Sequence, residues 1–117
     1  MSPRRERRVF VLPSPGIKES YTAFKRLHPE IVDAVKIFNA YKREIPPRLL
    51  PREMKDHALK GALKGIRECH LNGLTGDVLL LYTHKNDEVR MLAICRHADL
   101  HGRRGRALKK RLEQQVA

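Results

Sequence analysis

Four of the six histidines, all at or after residue 57, lie beside the start or the end of a strand-like run. They are His57, His70, His97 and His101. An imidazole transfers protons readily near neutral pH because its unperturbed pKa is about 6.5. A lone histidine is more often a surface or packing residue than a catalyst, so the prediction of proton-transfer chemistry rests on the grouping of all four.

Basic side chains accompany these histidines along the sequence, namely Lys55, Arg67 and Arg96. A phosphate site in RNA requires such cations, because they neutralise the phosphate and stabilise the additional charge of the transition state. One histidine would take the proton of a ribose 2′-hydroxyl while another protonates the leaving oxygen. The pattern favours RNA cleavage, with these three cations contacting the phosphate.

Zinc is the alternative chemistry, with Cys69, His70, Cys95 and His97 as the ligands. Structural zinc sites usually bring their ligands in pairs separated by two to four residues. Cys69 and His70 are adjacent, so on a strand they point to opposite faces. We therefore expect no metal and no cofactor. Both cysteines lie in apolar runs, which predicts two buried free thiols rather than a disulfide.

The chain of 117 residues carries 25 Lys plus Arg against 13 Asp plus Glu, a formal net charge of +12. Such an excess indicates a polyanionic partner, with RNA or the ribosome first. The longest apolar stretch, residues 78–82, is far shorter than the about 20 residues of a membrane-spanning helix. Pro13 and Pro15 break the apolar run after the basic start, which argues against a signal peptide. We expect a cytoplasmic protein that binds no membrane.

Hydrophobic spacing in the first half predicts a short edge strand at residues 8–12 and then a helical hairpin. His28 and Pro29 separate the two helices, because proline disfavours helix in the residue before it. The apolar face of the first helix comprises Ile17, Tyr21, Phe24 and Leu27. That of the second comprises Ile31, Ala34, Val35, Phe38 and Tyr41.

A stiff, proline-containing connector at residues 45–54 precedes three strand-like runs in the second half. These runs are residues 65–71, 78–83 and 89–95, with a turn at residues 84–88 between the last two. Ala107, Leu108 and Leu112 then recur at helical spacing. The sequence predicts one α+β domain over residues 1–117, in two layers. A small antiparallel sheet of about four strands packs against the helical hairpin, residues 1–8 form a flexible basic arm, and residues 102–117 a basic C-terminal helix.

Two ordered sets of motifs resemble YafQ-type toxins of the RelE/ParE superfamily. Residues 55–61 and 63–70 resemble the family's Lys-Asp-His-x-Leu-x-Gly element and the Lys-Gly-x-Arg-x-x-His segment after it. Residues 77–82 and 96–100 resemble its Asp-Trp-x-Leu-x-Tyr strand and its closing Thr-His-Ala-x-Leu-Phe. The resemblance covers residues 55–101 by motif, and residues 9–54 agree with the family in layout.

The resemblance implies a ribosome-dependent, metal-independent messenger RNA endonuclease that acts in the ribosomal A site and is inhibited by a cognate antitoxin. It also implies four catalytic residues. His97 is the main proton-transfer group, His57 and His70 position or protonate the scissile region, and Asp77 orients an imidazole or the substrate.

Three positions depart from the family pattern. Asp77 follows His70 by seven residues rather than four, Val78 replaces an aromatic residue, and His101 replaces the closing Phe. We expect His101 to contact RNA. Two other functions fit the sequence: a toxin of the same superfamily that binds a protein target such as DNA gyrase and cuts nothing, or a basic module that binds RNA or the ribosome. The histidines favour the nuclease, because ParE-type members lack them.

Overall fold

The computed structural model describes residues 9–116. The elements in chain order are β1 (Phe10–Pro13), α1 (Pro15–Leu27), α2 (Ile31–Lys42), β2 (His57–Ala58), β3 (Arg67–His70), β4 (Leu79–Lys85), β5 (Glu88–Cys95) and α3 (Gly102–Val116). Short 3-10 helices occupy Arg52–Met54, Gly61–Leu63 and His97–Leu100. The predicted α+β class and the order of the main elements are confirmed. The predicted basic arm at residues 1–8 lies outside the described residues.

The five strands form one sheet in the order β1-β5-β4-β3-β2. The antiparallel meander β3-β4-β5 was predicted, but two features of the sheet were not. A two-residue strand, β2, pairs with β3 and raises the number from about four to five. The edge strand β1 pairs with β5 in parallel, so the sheet is mixed rather than wholly antiparallel. The helical hairpin and the connector carry the chain across the sheet before the meander begins, and β5 therefore returns beside β1 in the same direction.

One face of the sheet packs against the helical hairpin. The core on this side contains Ile17 of α1, Ile31 and Phe38 of α2, and Leu80 and Tyr82 of β4. The predicted apolar faces of both helices are confirmed except at one position. Leu27, the last residue of α1, is 70% exposed.

The opposite face of the sheet is covered by α3, so the fold has three layers where the sequence predicted two. Leu108 and Leu112 of α3 pack against Leu79, Leu81 and Leu92. The reason lies in β4, whose residues 79–82 are all fully buried. A strand that is apolar on both sides requires a covering layer on each face. Ala107 is exposed, contrary to its predicted place on the apolar stripe.

Two serines attach α1 to β5 where that strand is irregular. The register between β4 and β5 shifts between Leu81 and Tyr82, so Leu92 of β5 has no paired residue in β4. The hydroxyl of Ser14 donates to the carbonyl of Leu92 at 2.9 Å, and the hydroxyl of Ser20 accepts from the amide of Ile94 at 2.9 Å. These bonds give hydrogen-bond partners to two backbone groups of β5.

The turn between β4 and β5 is tighter than predicted. Lys85 pairs with Glu88 across the hairpin, so only Asn86 and Asp87 connect the strands, and His84 lies within β4. Asn86 has φ 53°, a left-handed conformation that asparagine tolerates better than most residues. Within residues 9–116, no helix has the length and apolar character needed to span a membrane.

Candidate active site

His57 and Glu68 face each other across β2 and β3 on the α3 side of the sheet. Nε2 of His57 lies 2.9 Å from Oε1 of Glu68, and Nδ1 lies 2.8 Å from the carbonyl oxygen of Lys55. A carbonyl oxygen can only accept, so Nδ1 donates to Lys55 and Nε2 faces the Glu68 carboxylate.

His70, the last residue of β3, is buried and lies on the same face of the strand as Glu68. Its Nδ1 lies 3.1 Å from the carbonyl oxygen of Gly73. Since that oxygen only accepts, Nδ1 carries a proton, and Nε2 is left with a lone pair in the neutral ring.

The loop between β3 and β4 sets the position of Gly73 and of Asp77. Gly73 adopts φ +94°, a conformation in which a side chain is strained. Asn72 accepts from the amide of Val78 at 3.1 Å and so closes the loop. A Cβ at Gly76 would clash with Asn72, which explains the glycine there. These contacts allow the turn to be three residues longer than the family pattern and still place Asp77 beside His97.

His97 begins the short helix that follows β5, and Asp77 fixes its imidazole. Oδ1 of Asp77 accepts from the His97 amide at 2.9 Å and from Nδ1 at 2.7 Å. The hydrogen bond from the His97 amide is the main reason that the pKa of Asp77 lies below its usual value. The hydrogen bond from the ring and the positive charge of Arg96 lower it further. The Nδ1 proton is therefore directed at the carboxylate. Nε2 keeps its lone pair on a side chain that is 45% exposed.

These residues converge at one end of the meander. The rings of His70 and His97 meet edge to face, with their centroids 5.3 Å apart. Ligand-type atoms of Glu68, His70 and His97 lie within 4.8 Å of one another. With His57 bound to Glu68 and Asp77 bound to His97, the five residues form a continuous group, which we call the histidine cluster. It contains all four residues predicted to be catalytic.

Glu68 is the member that the sequence analysis missed. Its side chain is only 5% exposed, and within residues 9–116 its Oε2 has no hydrogen-bond partner. A buried carboxylate is costly unless it is compensated, so its position between histidines indicates a role in the site. The available signal was its place in β3, two residues before His70 and on the same face, where an apolar residue is usual.

A second polar network lies on the other face of the sheet and contains Arg67. Asp56 is its centre: it lies 3.4 Å from Nζ of Lys42 and 3.5 Å from Nη2 of Arg67, and it accepts from the Tyr82 hydroxyl. Arg67 donates to the Tyr82 oxygen at 3.2 Å, a bond that raises the pKa of Arg67. Burial is the largest cause of the raised pKa of Tyr82, and the Asp56 carboxylate raises it further. Alternation along β3 directs Arg67 away from Glu68 and His70, so its contact with RNA stays a prediction.

The other predicted RNA contacts are Lys55, Arg96 and His101, and all three are exposed. The guanidinium of Arg96 lies 5.5 Å from the ring centre of Phe24, and it lowers the pKa of Asp77. Arg96 is therefore the cation beside the His97 end of the cluster. Lys55 contributes the carbonyl that holds His57, while its side chain is free to face a ligand.

The two cysteines are buried free thiols, as predicted. Cys69 belongs to the core beneath α1 and α2, whereas Cys95 belongs to the core beneath α3. Burial, the largest cause in each case, raises the pKa of Cys69 and raises that of Cys95 to about 12. Cys69 thus lies on the opposite face of the sheet from Cys95 and His70, so the four side chains cannot bind one ion together. The zinc site considered from the sequence, which paired these cysteines with His70 and His97, is therefore wrong.

The profile of one family matches residues 17–102, which is more than half of the chain. The family is described as the YafQ bacterial toxin of type II toxin–antitoxin systems. The chain belongs to the YafQ toxin family. No curated protein matches it significantly.

Solved structures of bacterial toxins share the fold. A copper-bound variant toxin from Helicobacter pylori is 26% identical, with a TM-score of 0.60 over 80% of this chain and 99% of that one. A YafQ variant from E. coli is 22% identical, with a TM-score of 0.63 over 80% and 98%. YafQ in an E. coli DinJ–YafQ toxin–antitoxin complex is 22% identical, with a TM-score of 0.60 over 80% and 97%. The resemblance to YafQ-type toxins is thus confirmed.

Proposed function

We propose that this YafQ-family chain is a single-domain, cytoplasmic endoribonuclease that cuts messenger RNA in the ribosomal A site and is inhibited by a cognate antitoxin. One observation carries the proposal. His97 presents an exposed Nε2 lone pair, is oriented by two hydrogen bonds to Asp77, and lies against His70. An imidazole held in this way is suited to accept the proton of a ribose hydroxyl.

The proposed reaction is transfer of a phosphodiester to the neighbouring 2′-oxygen. Nε2 of His97 takes the 2′-hydroxyl proton, the 2′-oxygen bonds to phosphorus, and the bond to the 5′-oxygen breaks. We assign His57, which lies between the Lys55 carbonyl and Glu68, as the group that gives a proton to the leaving 5′-oxygen. The nucleophile belongs to the substrate, and the protein supplies protons and positive charge. No step in this scheme needs a metal.

A substrate change tests this chemistry directly. We expect the purified chain to cut messenger RNA on translating ribosomes and to leave a 2′,3′-cyclic phosphate and a 5′-hydroxyl. A single 2′-deoxyribose at the scissile nucleotide should abolish cleavage there, because the attacking oxygen is removed. The measurement is primer extension on matched transcripts, with a 2′-deoxyribose three nucleotides away as the control. Equal cleavage of both transcripts would contradict the mechanism.

The basic surface of α3 is proposed to bind ribosomal phosphates. This helix covers the same face of the sheet as the histidine cluster, and Lys109, Lys110 and Arg111 are exposed along it. Replacing all three by glutamine should weaken binding to ribosomes and flatten its dependence on salt. The slope of log affinity against log salt should decrease by roughly 0.7–0.9 for every phosphate that the variant no longer binds.

The matched control removes three exposed cations from the other side of the sheet: Lys18, Arg26 and Lys36 of α1 and α2. Both variants lose the same charge, so a general effect of net charge would change both slopes alike. We expect only the α3 variant to change, as measured by ribosome co-sedimentation at several salt concentrations. Identical slopes for the parent and the α3 variant would show that Lys109, Lys110 and Arg111 contact no phosphate.

The proposed antitoxin partner follows from family membership and from the charge. The E. coli YafQ structures include complexes with DinJ. A net charge of +12 on this chain favours an antitoxin with an acidic segment, and α3 offers the basic surface that such a segment would contact.

A further inference from the structure

We propose that Glu68, His70 and His97 bind a transition-metal dication of the zinc class, and that the bound ion blocks the site. Binding is argued from the geometry of these three residues alone. The inhibition rests in addition on the proposed nuclease function. The ion is a regulator or inhibitor in this scheme and takes no part in the cleavage reaction.

The two histidines are already oriented as metal ligands usually are. Nδ1 of His70 is bound to the carbonyl of Gly73, and Nδ1 of His97 to the carboxylate of Asp77. Metal-binding histidines nearly always donate their other ring N–H to such a carbonyl or carboxylate, which fixes the tautomer and raises the basicity of the free nitrogen. Both rings therefore keep their Nε2 lone pairs for a cation.

Glu68 supplies the independent observation that points to a ligand. Its side chain is only 5% exposed; Oε1 is bound to His57, while Oε2 has no partner among the described residues. A buried anionic oxygen without a donor is costly, and a cation next to it removes that cost.

The spacing and the ligand types fit one borderline dication. The three ligand atoms lie within 4.8 Å of one another, and a tetrahedral ion with bonds of about 2.0–2.2 Å needs them roughly 3.4 Å apart. His97 is partly exposed and can close this gap by a small ring movement. Two imidazoles and a carboxylate suit zinc, whereas magnesium prefers oxygen ligands alone. Three protein ligands leave a fourth position open to solvent.

A bound zinc ion would occupy the nitrogen of His97 that the proposed reaction needs. The lone pair on Nε2 of His97 cannot accept a proton while it is bound to a metal. Zinc is therefore expected to inhibit cleavage, and a zinc-selective chelator to restore it.

Calorimetric titration of the chelator-treated full chain with Zn²⁺ tests the binding. We expect one ion per chain, with affinity lowered at least about 10-fold in Glu68→Gln and in His97→Gln. Asp77→Ala should lower it about 10–100-fold, because it removes only the partner of His97. Asp77 is exposed, so this variant keeps the test valid if a change at buried Glu68 prevents folding.

His28→Gln is the matched control. His28 lies 3.3 Å from Glu30 and so is also a histidine beside a carboxylate, but it follows the end of α1 and lies outside the cluster. Its removal should leave the affinity unchanged. The proposal is overturned if no zinc binds, or if the cluster variants bind zinc as tightly as the parent does.

A cleavage assay with and without zinc tests the inhibition separately from the proposed nuclease function. On preassembled ribosomes we expect Zn²⁺ to stop cleavage, and a chelator that leaves magnesium in place to restore it without lowering the basal rate. Full cleavage at saturating zinc would overturn the inhibition. If the chain never cleaves, with or without zinc, the nuclease proposal and the inhibition fail, whereas the binding result is decided by calorimetry.

Discussion

Replacing His97 by alanine is expected to lower the rate of messenger RNA cleavage on ribosomes by about 10²–10⁴-fold, the usual effect of losing a proton-transfer group. His97 is the exposed histidine whose Nε2 is free while Asp77 holds Nδ1. Growth arrest on expression of the chain should be relieved in parallel. Single-turnover cleavage and colony counts after induction measure the two effects.

The control for this variant is His28→Ala, which removes a histidine outside the cluster. It should remain as toxic as the parent. Because His97 lies in a short surface helix, its side chain can be truncated without opening the core, and circular dichroism should show an unchanged fold. A folded His97→Ala protein that is still fully toxic would refute the nuclease mechanism.

Replacing Asp56 by alanine is expected to lower the free energy of unfolding by about 3 kcal/mol, because it leaves a buried cation without its partner. The side chain of Lys42 is only 8% exposed and lies 3.4 Å from the Asp56 carboxylate. The Tyr82 hydroxyl would lose its acceptor as well. Urea unfolding measures the change.

Two further variants separate this effect from ordinary surface electrostatics. Glu44→Ala breaks the exposed Glu44–Arg48 pair at 3.8 Å and should change stability by less than about 0.5 kcal/mol. Adding Lys42→Met to Asp56→Ala should recover part of the loss, since both partners are then gone. A loss below about 1 kcal/mol for Asp56→Ala, with no gain from Lys42→Met, would show that the network does not stabilise the fold.

The position of Asp56 also links this network to the histidine cluster. Asp56 and His57 are adjacent, and they serve opposite faces of the sheet: one binds Lys42 of α2, the other binds Glu68. These two contacts thus hold adjacent residues of the chain on opposite faces of the sheet.

The sequence by itself determined the elements whose signals are local. Helical spacing identified α1 and α2, proline separated them at Pro29, and apolar runs identified β3, β4 and β5. The motifs also determined family membership and drew attention to the histidines. Such signals are readable because each depends on residues within a few positions of one another.

Only the tertiary structure decided what depends on distant pairing. The parallel contact of β1 with β5, the short strand β2 and the placement of α3 on the second face are set by packing between segments remote in sequence. Side-chain alternation could not reveal them, because the apolar pattern of a strand does not determine which strand pairs with it or which layer packs on it.

The same division holds at the site. Motif spacing pointed to His57, His70, Asp77 and His97, but it did not show that Glu68 is buried between them or that Arg67 belongs to the other face. Glu68 is charged, and charged residues are normally exposed. Its burial is fixed by the register of β2 against β3 and by the layer that α3 adds, so it emerges only when these distant segments are packed together.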